Sequence, residues 1–91
     1  MEIKALRDNV MLIGHSTIED VESALDRFGY SQDDFDFKVQ DDTQYSSGLY
    51  HTYSTVHVTY KPNGIKRSYA AGHQSAFAAE FERDLQGGFY R

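Results

Sequence analysis

The chain has 91 residues, a formal charge of −5 and 40% apolar residues, with seven Tyr, six Phe and no Cys. The length suits a single domain, residues 1–91, and the aromatic content is that of a folding chain rather than a disordered one. Without Cys there are no disulfides, thiol nucleophiles, iron–sulfur clusters or thiolate zinc sites, and no apolar run is long enough to span a bilayer.

Residues 1–15 admit two readings. Ile3, Leu6, Val10 and Ile13 fit one helical face, whereas Val10, Met11, Leu12 and Ile13 equally fit a short buried strand. The start lacks the apolar core and cleavage site of a signal peptide, so a cytoplasmic protein is expected. A helix is predicted over about 17–28. Ile18, Val21, Leu25 and Phe28 form its apolar stripe, Ser16 with Glu19 or Thr17 with Asp20 fits a capping box, and Gly29 stops it.

Residues 35–40 alternate apolar and polar side chains, the pattern of a half-buried strand. Residues 41–49 hold two Asp, two Ser and Gly48 and read as a loop. A second strand is predicted at about 50–61, a tight turn at Lys61, Pro62, Asn63 and Gly64, and a third strand at about 65–71 broken by Gly72. A last helix at about 74–86 carries Phe77, Phe81 and Leu85 on one stripe and ends at Gly87 and Gly88. The expected fold is α+β. It is an antiparallel three-stranded meander with two helices on one face, in the order α-β-β-β-α, preceded by the undecided N-terminal element.

The turn sets the register. A two-residue Asn63-Gly64 loop pairs Val58 with Tyr69 and puts all apolar side chains on one face, but leaves Pro62 at a position that should donate to the ladder. A type I turn with a left-handed Gly64 bulge suits Pro62 and pairs His57 with Tyr69 and Thr59 with Arg67. The bulged turn is preferred on its chemistry. It places Tyr53, His57, Arg67 and Tyr69 on the open face, where Tyr69→Ala would cost much less than Phe81→Ala.

Little in the sequence points to catalysis. There is no nucleophile elbow, P-loop or dinucleotide fingerprint. His51 and His57 share a strand but lie ~20 Å apart, too far for one ion. No catalytic, metal or cofactor residue is therefore assigned. Gly72, His73, Gln74 and Ser75 read as the capped start of the last helix. The charge is uneven: −7 over residues 1–44 and +2 over 45–91.

The order α-β-β-β-α over about residues 16–86 resembles the double-stranded RNA-binding domain in topology, although the stretch from Gly72 to Glu80 has no Lys or Arg. In wording, the chain is similar to short proteobacterial proteins, many carried on phages or other mobile elements. The similarity lies in Gly64-Ile65-Lys66-Arg67-Ser68-Tyr69-Ala70-Ala71-Gly72-His73-Gln74-Ser75-Ala76-Phe77, in Phe81-Glu82-Arg83-Asp84-Leu85, and upstream in Gly29-Tyr30 and Asp34-Phe35. That resemblance implies a habitat and no activity.

The expected function is that of a small non-enzymatic interaction protein with a protein partner. Its binding residues would be Tyr53, His57, Lys66, Arg67, Tyr69 and His73, on the open sheet face and at the start of the last helix. One alternative is single-stranded nucleic-acid binding, with Tyr53, His57 and Tyr69 stacking bases and Lys61, Lys66 and Arg67 near phosphates. Another is an acidic nucleic-acid mimic built on Asp33, Asp34, Asp36, Asp41 and Asp42.

Overall fold

The computed structural model describes residues 4–42, 44–46, 49–51, 53–72 and 76–91, with side chains at 4–42, 54–71 and 76–91. Two short helices open the chain, α1 (Lys4–Arg7) and α2 (Val10–Ile13), followed by the long helix α3 (His15–Arg27). A 3-10 turn (Gln32–Asp34) leads into strands β1 (Phe35–Asp41), β2 (Gln44–Ser46), β3 (Leu49–His51), β4 (Tyr53–Tyr60) and β5 (Ile65–Gly72), and helix α4 (Phe77–Gln86) closes the fold. Strands β1, β4 and β5 form one antiparallel sheet with β4 in the middle. The architecture is α+β, a three-stranded meander with helices on one side.

The undecided N-terminal stretch is helical. Leu6 and Ile13, seven residues apart, lie in the core, while Val10 and Met11 are exposed. Asn9 separates the two short helices, and its side-chain amide donates to the Ala5 carbonyl at 2.8 Å. Helix α3 buries Ile18, Val21, Ala24 and Leu25, as its stripe requires. It starts earlier than expected, and this removes the capping box. Gly14 (φ 95°) is the N-cap with no side-chain cap, so Ser16 and Thr17 lie inside the helix.

The segment expected to be a loop at 41–49 holds β2, and the long predicted strand divides into β3 and β4. Asp41 pairs with Ser54, and Gln44 with His51, three residues further along each chain. The two pairings therefore share one register, and a two-stranded ribbon continues the β1–β4 hairpin. Strand β5 pairs with β4 from Ile65 opposite Tyr60 to Gly72 opposite Tyr53. The molecule is long, 45 × 24 × 23 Å.

The turn at 61–64 corrects the expected register. Tyr60 pairs with Ile65, which leaves a four-residue loop. The Gly64 N–H donates to the Tyr60 carbonyl at 2.8 Å, Gly64 sits at φ 77°, and Asn63 Oδ1 accepts from the Ile65 N–H at 3.0 Å. Pro62 lies inside the loop, where no ladder donor is needed. Val56 faces Tyr69 and Val58 faces Arg67, so these four share the helix-covered side. The preferred bulged turn would have put Tyr69 on the other face. Matching the apolar residues of β4 and β5 against one set of helices outweighs the local turn preference, because a slip of one residue would expose the whole set.

Candidate functional site

Alternation divides the sheet residues between two environments. Phe35, Phe37, Val56, Val58, Tyr69 and Ala71 are buried against the helices. The opposite face carries Asp36, Lys38 and Gln40 from β1, Thr55, His57 and Thr59 from β4, and Lys66, Ser68 and Ala70 from β5, all half-buried or exposed.

His57 is the hub of that open face. It stands between Lys38 and Ser68 in the pairing. Its Nδ1 lies 2.7 Å from Ser68 Oγ and its Nε2 3.1 Å from Gln40 Oε1. Gln40 Nε2 donates to Asp42 Oδ1 at 2.7 Å, and Thr55 Oγ1 donates to Asp42 Oδ2 at 2.7 Å. Five side chains thus form one hydrogen-bonded row across three strands. Lys38 and Lys66 flank it and make no ion pair among the described residues.

The binding residues expected from the sequence do not converge. His57 and Lys66 lie on the open face. Tyr69 does not: it is 2% exposed and packs against Phe77 and Phe81. Arg67 follows it to the covered side, where its guanidinium lies over the Tyr69 and Phe89 rings at 5.5 and 5.2 Å and donates to Asp84 Oδ1 at 3.2 Å. Tyr53 is placed by its backbone, which pairs with Gly72, and its side chain lies outside the described residues. His73 lies outside them altogether, with the proposed cap at Ser75. The five aspartates do not share a face. Asp33 and Asp34 belong to the 3-10 turn, Asp36 to the open face, Asp41 has the parity of the covered face, and Asp42 is held by Gln40 and Thr55.

Sequence reasoning missed Lys38, Gln40 and Ser68, and Asp42 enters it only as one of five aspartates. The alternation of 36, 38 and 40 against Phe35 and Phe37 marks the first two as open-face residues, but Ser68 needs the correct register. It also missed a polar cluster under the sheet. Tyr69 donates its hydroxyl to Asp84 Oδ2 and lies 2.7 Å from the Tyr90 hydroxyl. Asp84 has the spacing of the α4 stripe, three residues after Phe81, and this was the readable signal. The tail after α4 is tied down by the same cluster. Tyr90 is fully buried, Asn63 donates to its carbonyl at 2.8 Å, and Arg91 caps Phe28 O and lies over the Tyr30 ring.

Burial raises the Tyr69 phenol far above its ordinary range, helped by its hydrogen bond to Asp84, and burial pushes the Tyr90 phenol up to about 12. The charged form of Tyr is the deprotonated one, so burial penalises it. Below pH 10 both states of the chain hold these protons and their full contribution to stability is present. As pH rises from 10 towards 12 the unfolded chain releases them first, and the contribution is lost. The urea midpoint should stay flat from pH 8 to about 10 and then fall. The share of the tyrosinate absorbance that comes from Tyr69 and Tyr90 should rise together with unfolding, not before it.

Two recesses among the described residues lie around α3. One of about 150 Å³ is lined by Arg7, Val10, His15 and Ile18. A wider groove contains Arg7 and His15 with Glu19, Glu22, Ser23 and Asp26, and Arg7–Glu22 and His15–Glu19 pair within it. Among the described residues, no three His, Asp or Glu side chains converge as a metal site, and no helix is long and apolar enough to cross a membrane. Comparison with protein-family models, curated proteins and solved structures finds no match to this chain.

Proposed function

We propose that this chain is a small non-enzymatic interaction protein, working in the cytoplasm and encoded on a bacterial mobile element, that binds another protein through the open face of its sheet. The observation that carries the reading is the bare, polar face of β1, β4 and β5. Gln40, Thr55, His57 and Ser68 on this face are held in place, together with Asp42, before any partner arrives. Prearranged donors and acceptors reduce the ordering cost of association. A protein fits this face better than single-stranded nucleic acid. Stacking needs exposed aromatic rings, and Tyr69 is inside the core with Arg67 beside it on the covered side. Two lysines among two aspartates also offer little to a phosphate backbone.

The test is affinity capture from the host with wild-type protein, Lys66→Glu, and Glu19→Lys on the far side of the helical layer. Circular dichroism checks that each variant folds. The reading expects Lys66→Glu to lose a partner that wild type and Glu19→Lys retain. Identical partner sets for all three would remove the open face as the docking surface.

A further inference from the structure

Proton positions in the open-face row follow from its last member. The Asp42 carboxylate only accepts, so Gln40 turns its NH2 towards Asp42 and its Oε1 towards His57. Nε2 of His57 therefore carries a hydrogen. In the neutral ring Nδ1 is the acceptor, and the Ser68 hydroxyl spends its proton on it. Protonation of the ring leaves Gln40 undisturbed and reverses Ser68. Nδ1–H now donates to Ser68 Oγ, and the Ser68 hydrogen is freed to point outwards. The same event adds a positive charge between Lys38, directly across the pairing, and Lys66, diagonally placed on β5.

We propose that Lys38, His57, Lys66 and Ser68 form a docking site for an acidic protein segment that engages when His57 is protonated. The inference rests on the reading above, that the open face is the docking surface, and names its partner chemistry. Charge complementarity supports it. The protonated row presents three cations and a free hydroxyl donor on neighbouring strands. The opposing groups of this face are Asp36, two residues from Lys38 on β1, and Asp42, both of whose oxygens already accept hydrogen bonds. Thr55 and Thr59 are the neighbours on β4 itself, and the helices lie on the other side of the sheet. Imidazole is the side chain whose charge changes between pH 5 and 8, a range in which carboxylates stay ionised. A segment carrying one or two carboxylates suits the site. A polyphosphate strand would meet Asp36 and the remaining negative charge of the chain.

The probe is a hexaglutamate peptide added to 15N-labelled protein at pH 5.5 and 7.5, read by amide and side-chain shifts. The expected result is saturable shifts centred on Lys38, His57, Lys66 and Ser68, with affinity about fivefold higher at pH 5.5, the scale of one added exposed charge contact. His57→Gln keeps a neutral hydrogen-bonding side chain and should remove the pH difference. The variant meets the same peptide at both pH values, so the peptide's own titration cancels. Hexalysine should give no shifts on this face. Binding on these residues with equal affinity at both pH values overturns the protonation step and leaves the docking face standing. Absent shifts, or shifts centred elsewhere, overturn the acidic-segment assignment. Failure of the docking face itself is read separately, by the partner sets of Lys66→Glu and wild type.

Discussion

Replacing Phe81 with alanine should leave the protein largely unfolded near 37 °C. Phe81 is fully buried at the centre of α4. Its ring meets those of Phe35, Phe37, Tyr69, Phe77 and Tyr90 at centroid separations of 5.7, 5.9, 5.9, 6.2 and 6.0 Å. It therefore joins β1, β5, α4 and the C-terminal tail. Truncation removes its own transfer energy and leaves a cavity walled by stiff rings that cannot collapse into it, at a cost of ~3–5 kcal/mol. A domain has only ~5–15 kcal/mol of stability in all, and small ones sit low in that range. Thermal melts followed by circular dichroism would show the midpoint falling by ~15 °C or more. A fall of only a few degrees would mean that the rings repack.

Tyr69→Ala should be nearly as damaging, contrary to the expectation from the bulged turn. The side chain is 2% exposed, its ring packs on Phe77 at 5.4 Å and Phe81 at 5.9 Å, and its hydroxyl joins Asp84 and Tyr90. Alanine at this position opens a cavity and takes a donor away from the buried Asp84 carboxylate. The expected cost is ~3–5 kcal/mol. Tyr69→Phe isolates the polar part. It keeps the ring, deprives Asp84 of one donor, and should cost about 1–3 kcal/mol, with Arg67 still holding the other oxygen. Urea midpoints of the two variants separate packing from hydrogen bonding. If Tyr69→Ala were close to neutral, Tyr69 would belong to the open face and the register at 61–64 would be wrong.

Phe81 and Tyr69 act from beneath the sheet, whereas Lys38, His57, Lys66 and Ser68 lie above it. Substitutions on the open face should therefore change binding with little change in melting temperature, since exposed positions away from such features usually move stability by about 0.5 kcal/mol or less.

What the sequence determined by itself is local periodicity. The stripe of Ile18, Val21 and Leu25 and that of Phe77, Phe81 and Leu85 each specify a helix, because 3.6 residues per turn bring those positions to one side whatever lies opposite. Phe35 and Phe37 likewise specify which side of β1 is buried. The place of the turn at 61–64 was legible from Pro62, Asn63 and Gly64, and so was the α+β class. Tertiary structure alone decided the rest. The hairpin register is a choice between two parities that look identical along either strand. Turn chemistry favoured one, and the shared need of Val56, Val58, Tyr69 and Ala71 for cover from the same helices selected the other. The loop-like composition was overridden in the same way at Gln44–Ser46, since pairing across the ribbon continues a ladder already set between β1 and β4. The open-face row depends on both outcomes. Gln40, His57 and Ser68 are 17 and 11 residues apart in the chain, and only a register that aligns three strands brings them within hydrogen-bond reach.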